Sequence, residues 1–466
     1  MPADRFYEFQ LLWLGVACLV ALLADRQASK ARRRVSAKDS REERAEGGLS
    51  GAGSAGALAA LTRQYLVVYA IVMGADWLQG PYVYSLYREQ YQFPERTVAV
   101  LFVTGFISAG LAAPLIGVWA DQHGRKRLCL IFCATYTSAC LCILVPFLPV
   151  LLFGRVLGGI STSILFSAFE SWLISASTSH ALPQADLSTI MGRATLVNGL
   201  VATGAGVVSN QLVGFTGSFG APFIASGALL IVGWAVIRGT WVENYGGGGG
   251  SGEAGDPFQL QRLRQALRIV REDPRLLVLG LTQTCFEGSM YLFVFLWVPA
   301  LQEFSIMGLL PLGYIFSSFM LSMMLGSILY TFLAAWSPEP SLTTHAKLSS
   351  AVCALSALAL ALAVTQRDER ARFWAFCVFE ACVGMYYPVQ GMLRGALIAN
   401  ENRATLSSLF RVPLNVFVVV SLLTGVSNAR SAVLTASSLM LAFSSIMTGA
   451  VIVSRVENMN TNGVRP

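Results

Sequence analysis

Two arginines beside apolar runs are the residues of this sequence with the clearest capacity for chemistry. Arg411 lies in "SLFRVPLN", directly before "VFVVVSLL", and Arg193 lies in "MGRATLVN", also before an apolar run. An arginine near the centre of a membrane helix costs about 2.5–3.5 kcal/mol on insertion scales, so it needs a partner or a function. A guanidinium has a permanent positive charge and five N–H donors, which suits it to bind carboxylates and oxyanions.

An asparagine follows each of these arginines. Asn415 is four residues after Arg411, so the two share one helix face, whereas Asn198 is five residues after Arg193 and aligns less well. Pro413 leaves a backbone carbonyl without its helical partner and can kink the helix at this point. The alternative is that both arginines simply extend to the membrane interface.

Other polar side chains inside apolar segments could complete a binding site. Six of them lie roughly ten to fifteen residues into their segments. At a helical rise of about 1.5 Å per residue, this depth is near the midplane of the membrane. They are Asp76, Gln79, Gln283, Glu287, Asn198 and Asn415. Tyr82 is either a hydroxyl donor or a packed aromatic. The predicted binding residues are Arg193, Arg411, Asn198, Asn415, Gln79, Gln283 and Tyr82.

Four carboxylates, Asp76, Glu170, Glu287 and Glu380, also lie in these segments. An ionised carboxylate inside a membrane segment is costly, so we expect these groups to neutralise arginines or to carry protons. Asp76 and Glu287 are the most central and are the candidates for proton coupling.

Two further arginines have predicted structural or gating roles. Arg155 lies near one end of its segment and is expected to brace neighbouring helices. Arg394 lies deep in its own segment, where pairing with Glu170 would form a gate between the two halves of the chain.

Composition identifies the class of protein. Of 466 residues, 55% are hydrophobic and 13% charged, against about 25% charged in soluble domains, which predicts an all-α polytopic protein of the lipid bilayer. The basic residues behind the net charge of +7 lie between apolar segments, so they indicate membrane topology and not nucleic-acid binding. The nine cysteines are scattered and the three histidines lie in or near loops. We therefore predict no metal, no cofactor and no enzyme activity.

Thirteen segments reach the roughly 20 apolar residues that a membrane helix needs. The first could be a signal peptide, but Asp4 and Glu8 precede its apolar run and the basic cluster follows it, which favours a retained anchor with its N-terminus outside. The segments are 6–24, 64–87, 97–119, 128–147, 149–173, 189–213, 220–237, 276–301, 309–335, 344–365, 371–397, 404–426 and 430–453.

Polar stretches predict the domain boundaries. Residues 1–25 form an extra N-terminal helix, 26–62 a disordered basic linker, and 63–238 a six-helix bundle. Residues 239–275 form a cytoplasmic linker with an amphipathic stretch, 276–454 a second six-helix bundle, and 455–466 a tail. The distribution of Lys and Arg predicts a cytoplasmic C-terminus, and we expect a monomer in the plasma membrane.

The two halves of the chain share weak internal similarity. "DWLQGPYVY" matches "CFEGSMYLF", "GRVLGG" matches "FEACVG", and "MGRATLVN" matches "LFRVPLN", in the same order. Paired similar bundles are typical of transporters that work by alternating access around a central site.

The loop "GVWADQHGRKR", from Gly117 to Arg127, resembles the signature loop of the major facilitator superfamily. The resemblance implies that Asp121 and Arg125 hold the helix bundles together at the cytoplasmic face. A carboxylate at a helix start accepts hydrogen bonds from backbone amides and pairs with arginine. "GRVLGGISTS" also resembles the superfamily's fourth-helix pattern, with small residues that permit close packing.

Five blocks resemble the molybdate-anion transporter family of that superfamily over about residues 64–453. They are "ADWLQGPYVYSLY", "GRVLGGISTSILFSAFESWLI", "FEGSMYLFVFLWVPAL", "GYIFSSFM" and "FRVPLN". The resemblance implies a major facilitator fold and high-affinity uptake of molybdate. Transport of sulfate or of a neutral solute, and a sensor or scaffold without transport, remain alternatives.

Overall fold

The computed structural model describes residues 5–43, 52–245, 267–305, 310–337, 341–398, 403–424 and 430–455. Over these ranges the chain is helical and contains no strand, which confirms the predicted all-α class. Proline and aspartate mark several helix starts: the Asp273 carboxylate accepts from the Arg275 amide at 2.9 Å, and Asp368 accepts from the Ala371 amide at 3.0 Å.

Fourteen longer helices lie in the described part of the chain. They are α1 (Phe6–Glu43), α2 (Ala52–Gln79), α3 (Glu95–His123), α4 (Arg125–Ile143), α5 (Leu148–Leu165), α6 (Ala168–Ser179), α7 (Gln184–Thr216), α8 (Ala221–Thr240), α9 (Pro274–Gln302), α10 (Leu312–Trp336), α11 (Ser341–Thr365), α12 (Glu369–Leu397), α13 (Arg403–Thr424) and α14 (Arg430–Met447). Short helical turns extend α2 to Gln90 and α14 to Val453.

Among the described residues, eleven helical stretches are long and apolar enough to cross a membrane. The prediction has thirteen, and the difference lies in α12 and α13. The charged side chains of α12, which include Glu380 and Arg394, interrupt its apolar character, and the apolar part of α13 is limited to Leu409–Thr424. The predicted fourth core span, 149–173, consists of α5 and α6, which Phe166 and Ser167 separate.

The chain divides into two compact units. The N-terminal unit comprises Leu19–Ser251 and Pro311–Ser317, and the C-terminal unit comprises Met1–Cys18, Gly252–Leu310 and Ser318–Pro466. The predicted boundary at residues 239–275 stays a prediction, because residues 246–266 lie outside the described ranges.

In the N-terminal unit, α2 packs on α7 and α8, and α4 packs on α5 and α8. Its core contains fully buried Phe132 and Phe169, and the rings of Trp172 and Trp241 stack 3.7 Å apart. This stack joins α6 to the residue that directly follows α8.

In the C-terminal unit, α9 packs on α12, α13 and α14, and α11 packs on α12 and α14. Gly326 of α10 and Gly384 of α12 lie at a close crossing. A Cβ at Gly326 would overlap the Ala381 carbonyl oxygen, and a Cβ at Gly384 would overlap the Met323 carbonyl oxygen. Only glycine allows the two backbones to approach in this way.

The start of α1 belongs to the C-terminal unit and packs against the start of α12. The Tyr7 hydroxyl donates to the Glu369 carboxylate, and its ring meets Phe373 edge-on at 5.2 Å. The Arg370 guanidinium lies 4.7 Å from the centre of the Phe6 ring. These contacts place the start of α1 beside the start of α12, and retention of the first apolar segment stays a prediction.

The helical backbone of α1 extends to Glu43 and α2 begins at Ala52. The described parts of the 26–62 linker are therefore helical, which differs from the predicted disorder. The physical reason is composition, because "RQASKARRR" and "DSREE" are rich in good helix formers.

Candidate functional site

Glu287 is the centre of a polar cluster in the C-terminal unit. Its carboxylate accepts from Gln283 Nε2 at 3.3 Å, from the Tyr386 hydroxyl at 3.3 Å and from Arg394 Nη2 at 3.2 Å. Gln283 and Glu287 are one helical turn apart on α9, and Tyr386 and Arg394 are two turns apart on α12, so each pair shares a face. The result is a buried carboxylate neutralised by an arginine.

This pairing differs from the predicted partner of Arg394, which was Glu170. Glu170 lies on α6 with an exposed side chain. The Glu287–Arg394 ion pair has side-chain exposures of 11% and 24%. Gln283 Oε1 and Arg394 Nε are buried and make no hydrogen bond to described protein atoms. The cluster thus keeps one spare acceptor and one spare donor.

Helix α13 presents Arg411 and Asn415 away from its packed face. A Cβ at Gly280 of α9 would lie 2.5 Å from the Phe410 ring, and Leu414 is also buried. Arg411 and Asn415 are exposed, which agrees with their predicted common face.

In the N-terminal unit, Asp76 and Gln79 have partners on different helices. The Tyr136 hydroxyl of α4 donates to Asp76 at 2.5 Å. Gln79 Nε2 donates to the Ser226 hydroxyl of α8 at 2.9 Å and lies 3.4 Å from Cys140 Sγ. Gln79 is therefore positioned by α4 and α8, with its amide donor in use.

Two further predicted binding residues, Asn198 and Tyr82, form hydrogen bonds that link α2 and its extension to α7. Trp77 Nε1 donates to Asn198 Oδ1 at 2.8 Å, which leaves the Asn198 amide N–H groups for another acceptor. The Tyr82 hydroxyl donates to Asn210 Oδ1 at 2.9 Å. Arg193 lies on α7 five residues before Asn198, is exposed, and has no ion pair with a described residue.

The remaining predicted residues lie apart from these clusters. Glu380 is buried on α12, and Arg155 donates from Nε to the Leu101 carbonyl oxygen at 3.1 Å. The Asp121 side chain lies outside the described part of the structure, so its predicted latch with Arg125 stays a prediction. No group of three or more potential metal ligands occurs among the described residues.

Comparison with known proteins identifies the family. A major facilitator family model described as sugar transporters with 12 TM matches residues 46–370. The molybdate-anion transporter of Takifugu rubripes is 33% identical over 77% of this chain and 78% of its own length. That of Xenopus tropicalis is 34% identical over 76% of each chain, and that of Danio rerio is 34% identical over 77% and 78%. The chain belongs to the molybdate-anion transporter family.

Solved structures support the fold of this family member. The nucleoside transporter NupG matches with a TM-score of 0.65, and an autoinhibited POT-family peptide transporter with 0.66. Each is 12% identical, and they cover 83% and 84% of this chain and 98% and 96% of their own. The major facilitator fold, the multi-pass membrane character and the prediction of a transporter rather than an enzyme are confirmed.

Sequence reasoning missed one structural carboxylate of this transporter. Glu243, just after α8, accepts from the backbone amides of Lys126 at 2.8 Å and Arg127 at 3.0 Å, at the start of α4. The Lys126 ammonium in turn donates to the Trp241 carbonyl oxygen at 2.6 Å. Glu243 therefore caps α4 from more than a hundred residues away, and no local sequence pattern indicates this contact.

Proposed function

We propose that this protein takes up molybdate across the plasma membrane with high affinity by alternating access. The observation that carries the proposal is the identity of 33–34% to relatives named molybdate-anion transporters, over about three quarters of both chains. The fold is shared with transporters of unrelated substrates, so the fold alone does not select molybdate.

Arg193 and Arg411 are the proposed source of positive charge for the substrate. Molybdate is a tetrahedral dianion, and its binding requires compensating charge and several hydrogen-bond donors. Both arginines are exposed and unpaired with any described carboxylate, whereas Arg394 is already neutralised by Glu287. Asn198 and Asn415 lie within about a turn of these arginines and supply neutral donors.

Glu287 is the proposed proton carrier of the C-terminal unit, with Asp76 as its counterpart in the N-terminal unit. A proton on Glu287 would remove the charge that attracts Arg394, so protonation would release that arginine. A proton on Asp76 would change its hydrogen bond with Tyr136 in the same way. Either event would link a proton to a change in helix contacts.

The proposed topology follows from charge. The C-terminus is cytoplasmic and α1 has its N-terminus outside. Labelling of a cysteine introduced into the C-terminal tail of a variant in which the nine native cysteines are replaced, with intact and with permeabilised cells, tests this orientation. The monomeric state is a separate proposal that does not follow from charge.

Uptake of molybdate at nanomolar concentration, in cells without their own importer, tests the proposed function. We expect uptake that persists in excess sulfate and falls strongly in Arg193→Gln and Arg411→Gln. Arg271→Gln is the matched control, because Arg271 is an exposed arginine outside the predicted spans.

Three other results would overturn parts of this proposal. Uptake abolished by sulfate would indicate a general oxyanion carrier. Normal uptake in the two arginine variants would reject their role. No uptake, with the protein shown at the cell surface, would favour a sensor or another substrate.

A further inference from the structure

A partly open cavity lies in the N-terminal unit, among α2, α3, α4 and α5. Its volume is about 120 Å³, well above the roughly 10–15 Å³ that one water needs. Most of its wall is apolar or glycine. The polar side chains that line it are Gln79, Tyr87, Tyr136, Arg155 and Thr162.

Arg155 brings a positive charge into this cavity without a protein counter-charge. It lies seven residues into α5, about 10 Å from the start of the helix at 1.5 Å per residue. Its Nε donates to the Leu101 carbonyl oxygen, and its guanidinium lies 5.3 Å from the centre of the Phe102 ring. No ion pair joins Arg155 to a carboxylate in the described ranges. A partly buried arginine in a membrane span is costly unless an anion accompanies it.

Tyr87 supplies an unused donor beside this guanidinium. Its side chain is fully buried, lines the cavity and lies close to Arg155. Its hydroxyl has no acceptor among the described protein atoms, because the neighbouring Arg155 guanidinium can only donate to it. A buried hydroxyl without a partner costs about 1–3 kcal/mol, and a ligand in the cavity would remove that cost.

The other polar groups of the wall are already engaged. The Tyr136 hydroxyl donates to Asp76, Gln79 Nε2 donates to Ser226, and the Thr162 hydroxyl donates to the Gly158 carbonyl oxygen. The donors left for a ligand are therefore Arg155 and Tyr87, which is a positively charged pair suited to an anion. Tyr136 separates the cavity from Asp76. Among the described residues, Asp76 is the one carboxylate that is hydrogen-bonded to a side chain lining the cavity.

Glycines provide the room for the guanidinium. A Cβ at Gly105 would lie 2.8 Å from Arg155 Nη2, and a Cβ at Gly159 would lie 2.5 Å from the Gly105 carbonyl oxygen. The first glycine keeps space for the arginine, and the second lets α5 approach α3 closely.

We propose that this cavity is an oxyanion subsite, in which Arg155 and Tyr87 bind a small tetrahedral oxyanion such as molybdate or sulfate. The subsite is additional to Arg193 and Arg411, and its place in transport rests on the function proposed above. It adds a second binding position within the N-terminal unit.

Isothermal titration of the purified full chain in lipid nanodiscs with molybdate, and separately with sulfate, tests the subsite. Tyr87→Phe removes only the unpartnered hydroxyl, and Gly105→Ala displaces the flexible end of Arg155, so neither should unfold the protein. Tyr245→Phe and Gly204→Ala are the controls, because Tyr245 is exposed and a Cβ at Gly204 meets nothing within 4 Å.

We expect wild type and both controls to bind two anions, and Tyr87→Phe and Gly105→Ala to weaken one of them about tenfold or more. The double variant Arg193→Gln/Arg411→Gln should retain the Arg155 subsite. Unchanged titrations for Tyr87→Phe and Gly105→Ala, with wild-type thermal stability, would overturn the subsite even if uptake of molybdate is normal. Binding that depends on Tyr87 in a protein without uptake would support the subsite and reject the proposed transport. No binding to wild type would overturn both.

Discussion

Glu287→Gln and Arg394→Gln, made singly and together, measure how strongly the buried ion pair holds α9 and α12. The carboxylate lies 3.2 Å from Arg394 Nη2 and also accepts from Gln283 and Tyr386. Glutamine keeps the shape of Glu287 and removes its charge, so the Glu287→Gln variant leaves Arg394 without a counter-charge.

The magnitude follows from burial. Removing one partner of a fully buried ion pair costs about 3–5 kcal/mol. The side-chain exposures of 11% and 24% allow solvent to compensate in part, so we expect a loss of about 2 kcal/mol in each single variant. The double variant has no unpaired charge, and should be more stable than the sum of the two losses predicts, by about 1–2 kcal/mol.

The assay is unfolding in detergent, followed by tryptophan fluorescence, for the wild type and the three variants. The exposed Arg268–Glu272 ion pair, at 2.8 Å, is the matched control, and its double-mutant cycle should show no measurable coupling. Additivity of the Glu287 and Arg394 variants within about 0.5 kcal/mol would refute the reasoning, because it would mean that the two side chains do not interact. Uptake of molybdate that loses its dependence on external pH in Glu287→Gln would support the proposed proton role.

Three further predictions concern stability. Gly384→Ala should destabilise the protein by about 1–3 kcal/mol in thermal unfolding, because its Cβ would overlap backbone of α10, whereas Gly391→Ala should be neutral. Glu243→Ala should cost about 1 kcal/mol in the same assay, because α4 loses its cap. Burial raises the pKa of Asp273, but hydrogen bonds and charge from Arg275 outweigh this effect and leave that pKa below its ordinary value. The carboxylate therefore stabilises the fold above its ordinary pKa of about 3.9, and this contribution is lost as pH falls through the lower folded value; Asp273→Asn should flatten the pH dependence of unfolding in that acidic window.

Each of these predictions has a result that contradicts it. Wild-type stability of Gly384→Ala would show that α10 and α12 can separate at no cost. An unaltered melting temperature in Glu243→Ala would mean that water replaces the cap. An identical acid transition in Asp273→Asn would show that Arg275 does not stabilise the ionised carboxylate.

Hydropathy and residue spacing by themselves determined where most of the membrane-spanning helices lie and which face of α13 is polar. A membrane span must satisfy its own backbone hydrogen bonds, so a long apolar run has few alternatives to a helix. The four-residue spacing of Arg411 and Asn415 places them on one face of α13 whatever packs beside it. The family could also be recognised from five short blocks of sequence.

Only the tertiary structure decided which polar side chains meet. Arg394 pairs with Glu287, which is 107 residues away, and not with Glu170, because the rotation of α9 and α12 about their axes brings these two side chains together. Glu243 reaches the start of α4 across 116 to 117 residues, and the cavity beside Arg155 exists because glycines let α3 and α5 approach. Residue spacing shows which side chains share a face of one helix. It does not show how that helix is rotated about its axis or how it crosses its neighbours, and these two quantities decide which charges meet.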